Sequence, residues 1–196
     1  SELIDQKPEE IFYLLLTGEL PQAKELEELS DELKRRKQLP DYVIEALKAM
    51  PEDSHPMTMF SVGILSMQRE SIFYQKYSEG IKKTDYWLYM LEDALNIVAK
   101  APSLAAAVYR IRYKNAEIIP SRFEDDFTED FVDAVDLPNP NNEFYELMKL
   151  YFVLHCDHEG GNVSAMTTAT VNSALSDLYY SLSAGLNGLS GPLHGL

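Results

Sequence analysis

The chain has 196 residues, of which 45% are hydrophobic, so it can bury a core and disorder of the whole chain is not expected. Its 32 acidic residues outnumber 17 Lys and Arg, and the resulting formal net charge of -15 argues against nucleic-acid binding. The single cysteine, Cys156, excludes an internal disulfide, and no apolar run is long enough to predict a membrane span.

Apolar residues recur at helical spacing along the chain, and the alternation typical of strands is scarce. The first predicted helix begins at Pro8, because proline and the acids after it suit a helix start, and it ends at Gly18. Later helices are predicted from apolar stripes at three- and four-residue spacing: Leu26–Leu33, Val43–Met50, Met57–Met67, Asp85–Ala99, Leu104–Ile111 and Glu143–Leu154. Within the predicted helix Met57–Met67, Gly63 marks a place where a neighbouring helix can come close.

One proline and one apolar stripe give two further specific expectations. Pro102 is predicted to open a new helix after the one that ends near Ala99. The helix from Glu143 is predicted to bury a face described by Phe144, Leu147, Leu150 and Tyr151.

The segment from Asn115 to Asn142 contains three prolines and an acidic group, which predict a loop with one short helix around Phe127 to Val135. From Asn162 to Leu186 the chain is rich in Ser, Ala, Thr and Gly, and such small residues allow two helix axes to come close. The sequence therefore predicts an all-α fold of nine or ten helices without a confident strand.

Three of the four histidines, His155, His158 and His194, lie in the last forty-two residues. His155 and His158 would share a helix face, but the zinc pattern of two histidines four apart around a glutamate is missing, so no metal site is expected. His158 is either a buried histidine at a helix kink or part of an anion site. The second interpretation is favoured by the permissive Gly160-Gly161 backbone and the short polar side chains of Asn162 and Ser164 beside it.

His194 follows Gly191 and Pro192, which predict a loop leading into a helix start. The positive end of a helix dipole favours a neutral imidazole, and a neutral imidazole can donate a hydrogen bond to a carbonyl that is becoming an enol. The alternative is a histidine that caps a surface helix. A serine hydrolase that uses Ser164 and His194 is disfavoured, because the Gly-x-Ser-x-Gly elbow and its preceding strand are absent. Cys156 is expected to be a small packed residue and not a nucleophile.

A basic pair, Lys82 and Lys83, interrupts this acidic sequence and could hold a phosphate. A solvated helix start is the alternative interpretation of the same pair, and spacing alone favours it.

Two runs of residues, 157–165 (DHEGGNVSA) and 187–196 (NGLSGPLHGL), closely resemble citrate synthases of the mitochondrial type. Shorter matching pieces occur in the family's order at 14–21, 55–57, 78–81 and 172–177, so the resemblance covers essentially the whole chain. It implies that residues 1–196 are a partial, nearly all-helical large domain. The small domain and the C-terminal segment would lie outside this truncated chain, together with the catalytic aspartate, a second histidine and the substrate arginines.

The resemblance also implies an enzyme that condenses acetyl-CoA with oxaloacetate and water to give citrate and coenzyme A. In such an enzyme His194 is catalytic, His158 and Asn162 bind oxaloacetate, and Ser164 orients His194. Lys83 falls where the family places a basic residue near the coenzyme A phosphates, with Lys here in place of the familiar Arg.

Several further expectations follow from the same resemblance. The enzyme would be a homodimer without a metal or other cofactor, with acetyl-CoA as a substrate, in the mitochondrial matrix or alternatively in peroxisomes. Met166 stands where a histidine is common, at a position expected to lie outside the chemistry. The 196-residue chain by itself is expected to be inactive, and a non-catalytic helical dimerisation fragment is the alternative function.

Overall fold

A computed structural model describes residues 3–115, 117–120, 122, 124, 126–157 and 160–195. Within those residues the chain is entirely α-helical apart from short 3₁₀ and π turns and loops, which confirms the predicted fold class. The ten helices are α1 (Pro8–Thr17), α2 (Ala23–Arg36), α3 (Asp41–Lys48), α4 (Pro56–Ser66), α5 (Ile72–Ser78), α6 (Tyr86–Tyr109), α7 (Phe127–Val135), α8 (Glu143–His155), α9 (Val163–Asn172) and α10 (Leu178–Leu189). None of them is both long and apolar enough to cross a lipid bilayer.

Helix α6 forms the centre of the molecule and packs against α2, α4, α5, α7 and α10. The main core beside it is built from side chains that are almost completely removed from water: Val43, Leu47, Met59, Ile64, Met67, Leu104 and Tyr179. At the α4–α6 crossing, a Cβ atom on Gly63 would lie 2.5 Å from a methyl group of Leu104. The close helix approach predicted at Gly63 is therefore confirmed.

The structure corrects the expectation that a new helix begins at Pro102. Helix α6 runs without a break from Tyr86 to Tyr109, with Pro102 inside it. Proline in a helix interior removes one backbone hydrogen bond and is costly. Here Pro102 is buried, and its neighbours Ala99 and Leu104 are buried as well, so tertiary packing outweighs the local preference.

The predicted buried face of α8 is also wrong in part. Leu147 is 61% exposed and Tyr151 is 51% exposed. The helix instead turns Phe152 toward α7, where its ring meets those of Phe127 and Phe131 edge to face, each at 5.5 Å between centroids. Because α7 covers the side that carries Phe152, the part of the predicted stripe formed by Leu147 and Tyr151 faces outward, whereas Phe144 and Leu150 are partly buried.

Helix α7 occupies the residues predicted for the short helix, Phe127–Val135. Its start is defined by Asp126, whose carboxylate accepts hydrogen bonds from the N–H groups of Thr128 and Glu129, while the Glu129 carboxylate accepts from the Asp126 N–H. Such a reciprocal cap satisfies amide groups that would otherwise lack partners at a helix start.

Helices α9 and α10 pack closely through small residues, as predicted. At Gly185 an added Cβ would lie 2.0 Å from Thr168 Oγ1 and 2.8 Å from the backbone oxygen of Ser164. At Gly188 it would lie 3.0 Å from a Val163 methyl. At Gly185 only glycine permits this approach without a clash, and the approach brings the end of α10 beside the beginning of α9.

Candidate active site

Three side chains from the two long sequence motifs meet where α9 begins and the chain leaves α10. His194 Nε2 lies 2.9 Å from Ser164 Oγ, and the Ser164 hydroxyl donates to Asn162 Oδ1 at 2.7 Å. Asn162 Oδ1 also accepts from the backbone N–H of Ala165 at 2.9 Å. Asn162, Ser164 and His194 therefore form one hydrogen-bonded network, called the Asn-Ser-His network below.

Local structure fixes each member of this network. Asn162 has an extended backbone and is the N-cap residue of α9, so its side chain is held by the helix that it caps. Ser164 follows in the first turn of that helix. His194 lies in a turn after α10, in which its N–H donates to Gly191 O at 2.9 Å. The sequence predicts that a helix begins at Pro192. Within the described residues Pro192 lies in this turn, and the helix itself stays a prediction.

The glycines of α10 are positioning residues that the sequence reasoning identified only as members of a small-residue segment. Gly185 and Gly188 each face α9 near Ser164 and Val163, so they determine how far the His194 turn stands from Ser164. The available signal was glycine inside an otherwise helical pattern, which often marks close contact between backbones.

Burial and orientation decide what His194 can do. Asn162, Ser164 and His194 are all partly buried, so their hydrogen bonds are stronger than they would be in water while a ligand can still reach them. Ser164 faces Nε2 of the imidazole, so the serine helps to fix the orientation of the ring. The arrangement suits an oriented hydrogen-bond donor.

The Ser164–His194 distance would also fit the nucleophile and base of a hydrolase. The surroundings disagree with that interpretation. Ser164 lies in the first turn of α9, after a loop and not after a strand, and its hydroxyl proton is directed to Asn162. The sharp strand-to-helix elbow that exposes a nucleophilic serine is therefore not formed here.

The remaining predicted site residues have different outcomes. His158 lies outside the described residues, so its proposed contact with a ligand stays a prediction. Lys83 is exposed in the 3₁₀ turn Lys83–Asp85 before α6. Within the described part of the chain, no hydrogen bond or ion pair joins Lys83 to the Asn-Ser-His network.

Among the described residues, no group of three or more His, Cys, Asp or Glu side chains is arranged to hold a metal ion. His155 instead stacks on Tyr151, with 4.1 Å between ring centroids, and its Nδ1 lies 2.7 Å from the Tyr151 backbone oxygen. Cys156 is half-buried, and burial raises the pKa of its thiol, so it stays protonated near neutral pH. Neither residue has the surroundings of a metal ligand or a nucleophile.

A large apolar groove of about 830 Å³ lies elsewhere, between α1, α2 and α6. Leu16, Trp87 and Leu91 line it, and no member of the Asn-Ser-His network does. Size alone would make this groove a candidate site. Tyr13, Glu25 and Glu28 also line this groove, but no residue of the two long sequence motifs does.

The chain is similar to known proteins of one family. The whole chain, residues 1–196, matches the family described as citrate synthase, C-terminal domain. A mitochondrial citrate synthase of Aspergillus niger is 45% identical over 189 residues, which are 96% of this chain and 40% of that protein. The chain thus spans about 40% of the length of that relative.

Solved structures share the fold. The crystal structure of citrate synthase from Pyrobaculum aerophilum superposes with a TM-score of 0.90 at 30% identity, covering 100% of this chain and 48% of that one. A citrate synthase from Thermoplasma acidophilum, in ternary complex with carboxymethyl coenzyme A and oxaloacetate, gives a TM-score of 0.82 at 26% identity, covering 97% of this chain and 47% of that one.

Proposed function

The chain belongs to the citrate synthase family, and from that premise we propose that the protein of which it is part condenses acetyl-CoA with oxaloacetate and water to give citrate and coenzyme A. The observation that carries the proposal is the Asn-Ser-His network, because it unites the two motifs of the resemblance in one partly buried site. The network supplies an oriented imidazole donor, which is what enolisation of a thioester requires.

The reaction begins with removal of a proton from the acetyl methyl group, which is weakly acidic in water. A base must take that proton while a donor stabilises the negative charge that develops on the thioester oxygen. His194 is proposed as this donor, and Ser164 is proposed to orient its ring. The enol carbon then attacks the oxaloacetate ketone, and water cleaves the thioester to release citrate and the coenzyme A thiol.

The substrate contacts are part of the same proposal. His158 and Asn162 are proposed to bind oxaloacetate, and Lys83 to contribute a positive charge to the coenzyme A phosphates. The Thermoplasma acidophilum relative is described in complex with oxaloacetate and a coenzyme A analogue, which supports this substrate pair. No metal or other cofactor is assigned a role in the proposed chemistry.

Residues 1–196 are proposed to be part of a large domain, with the small domain, the catalytic base, a second histidine and the substrate arginines in the remainder of a longer enzyme. The match to about 40% of a relative's length supports this division. Because the donor His194 would then be separated from its base, the 196-residue polypeptide by itself should not turn over acetyl-CoA.

A second copy of the chain is the proposed partner. Helix α9 buries no residue in the described structure, and Val163 and Met166 on it are 57% and 56% exposed. Leu175, just after α9, is 43% exposed. Exposed apolar side chains on a helix of small residues are typical of a surface covered in an oligomer. If the chain were only a dimerisation fragment, this surface would still associate without any catalysis.

The mitochondrial matrix is the proposed location, supported by the name of the Aspergillus niger relative. A peroxisomal location is the alternative, and microscopy of the tagged full-length protein separates the two.

The proposed activity is tested by release of the coenzyme A thiol from acetyl-CoA, followed with a thiol reagent. The full-length enzyme should release thiol only when oxaloacetate is present, and the 196-residue chain should release none above background. Absence of oxaloacetate-dependent release by the full-length protein would reject the proposal. Turnover by the 196-residue chain would reject the proposed location of the base.

A further inference from the structure

Polar side chains tie the end of α10 to α4. Ser61 on α4 and Ser183 on α10 are each only 5% exposed, and their Oγ atoms lie 2.8 Å apart. Ser61 Oγ also lies 3.2 Å from Oδ1 of Asn187, one turn further along α10, and can donate to it. Within the described part of the chain, this is the one side-chain hydrogen bond that joins the last turn of α10 to another helix.

Asn187 is also joined to the turn that carries His194. Its backbone oxygen accepts a hydrogen bond from Ser190 Oγ at 2.8 Å. The N–H of Gly191 then donates to Gly188 O at 3.2 Å, and the N–H of His194 donates to Gly191 O at 2.9 Å. Asn187 therefore connects two parts of the structure, with its side chain bonded to α4 and its backbone bonded to the His194 turn.

The contact of α10 with α9 does not by itself fix the position of this last turn. Gly185 and Gly188 limit how closely α10 approaches α9, but a glycine contact offers no directional bond that would hold the helix there. Apolar contact is non-directional, so it opposes sliding and rotation of a helix only weakly, whereas a polar pair in a packed interface can specify one register. Among the described contacts of the last turn, the Ser61–Asn187 pair has this property.

We propose that Asn187 is a positioning residue for His194. Its bond to Ser61 fixes the sliding and rotation of the last turn of α10, and so it fixes the 2.9 Å distance between His194 Nε2 and Ser164 Oγ. No hydrogen bond joins Asn187 to the Asn-Ser-His network within the described residues, so Asn187 acts through the turn. The catalytic consequence rests on the proposed function, whereas the positional claim rests on the geometry of α4, α10 and the turn.

The first test is thiol release by the full-length enzyme at saturating substrates. Asn187→Ala should fold, because Asn187 is exposed and alanine is the better helix former. It removes one hydrogen bond, which is worth about fivefold in an equilibrium, so kcat should fall by about three- to fivefold while both KM values stay within about twofold. Asn187→Asp keeps an acceptor for the Ser61 hydroxyl and should retain most of kcat.

The matched control is Ser66→Ala on the same helix. The Ser66 hydroxyl donates to Gly63 O of α4 itself at 2.9 Å and reaches no other helix, so kcat should stay within about 1.5-fold of the wild type. A double-mutant cycle tests the route of the effect. Ser61→Ala should reproduce the loss seen in Asn187→Ala, and the double variant should lose no more than Asn187→Ala alone.

Crystal structures of the same full-length enzymes test the position directly. The contact between Ser164 Oγ and His194 Nε2 should persist in the wild type and in Asn187→Asp, and it should exceed about 3.5 Å, the limit of a hydrogen bond, in Asn187→Ala. An unchanged distance in Asn187→Ala, whatever its activity, would overturn the inference. Additive losses in the double variant, or an equal loss in Ser66→Ala, would overturn it as well.

The distance and thiol release are independent readouts. If the distance responds as expected but the wild-type enzyme shows no oxaloacetate-dependent thiol release, the proposed function fails and the positional role of Asn187 stands. If the wild-type enzyme is active but the distance does not respond to Asn187, the positional role is refuted and the proposed function stands.

Discussion

Gly185→Ala should damage both the stability and the activity of the full-length enzyme, although alanine is normally the better helix former. The new Cβ would lie 2.0 Å from Thr168 Oγ1 and 2.8 Å from the Ser164 backbone oxygen. The Thr168 hydroxyl can rotate away, at the expense of its 2.9 Å bond to that same oxygen. The backbone oxygen cannot rotate, so α10 must retreat from α9 by about 0.6 Å to restore an ordinary 3.4 Å contact.

The two energetic effects have opposite signs and different sizes. Replacing a helix glycine with alanine usually gains about 0.5–1 kcal/mol, whereas overpacking a tight contact costs about 1–3 kcal/mol. A net loss of about 1–2 kcal/mol is expected, which lowers the thermal midpoint by only about 1–2 °C in an enzyme as long as the Aspergillus niger relative, because the unfolding entropy scales with chain length. A retreat of α10 also lengthens the 2.9 Å His194–Ser164 contact, and kcat should fall by about tenfold, since an error of 1 Å can cost about a hundredfold.

Thermal unfolding at one fixed protein concentration and steady-state thiol release measure the two effects. Gly188→Ala is the matched comparison on the same helix, because its nearest neighbour is a Val163 methyl at 3.0 Å that can yield slightly. Its effects should be smaller in both assays. A Gly185→Ala enzyme as stable and active as the wild type would refute the argument that this glycine sets the distance between α10 and α9.

Three other substitutions test separate parts of the structure. Burial raises the pKa of the Glu9 carboxyl in the folded chain above the value of about 4.3 expected in the unfolded chain. The free energy of unfolding therefore falls as pH rises from about 4.3 through the higher folded-state pKa. Glu9→Gln keeps an acceptor for the Phe127 N–H and should be about 1 kcal/mol more stable at pH 7, without this decline, in pH-dependent thermal unfolding. Met166→Glu should shift the protein from dimer to monomer in light scattering, whereas Lys24→Glu on an exposed part of α2 should not. Lys83→Ala should raise KM for acetyl-CoA severalfold and leave kcat and KM for oxaloacetate within about twofold, and an unchanged acetyl-CoA KM would contradict the proposed phosphate contact.

Local signals explain where the fold could be predicted from the sequence. The α7 prediction is correct because its start is encoded nearby, by the Asp126 cap and the Glu129 side chain that returns to it. The α6 prediction failed because Pro102 reads as a helix start in isolation, whereas its burial in the packed centre keeps one helix continuous. The face of α8 was misjudged because Leu147 and Phe152 are equally apolar, and only the position of α7 decides which side is covered.

For the candidate site, the residues could be predicted from the sequence, but their contacts could not. The resemblance identified Asn162, Ser164 and His194, but Ser164 and His194 are thirty residues apart, and helical spacing does not show that they touch. Their contact depends on the approach of α9 and α10 at Gly185, which is a tertiary feature. The bond from Ser164 to Asn162 could not be predicted, because it depends on which atom the Ala165 N–H selects.

The most direct test of the assigned chemistry compares the full-length enzyme with its His194→Ala variant, by thiol release at saturating substrates and by calorimetric binding of oxaloacetate. Loss of one donor to a developing oxyanion should lower kcat by about 10²- to 10³-fold. The Kd for oxaloacetate should change by less than about threefold, because His194 is not assigned to that substrate. Normal kcat together with lost oxaloacetate affinity would contradict the account.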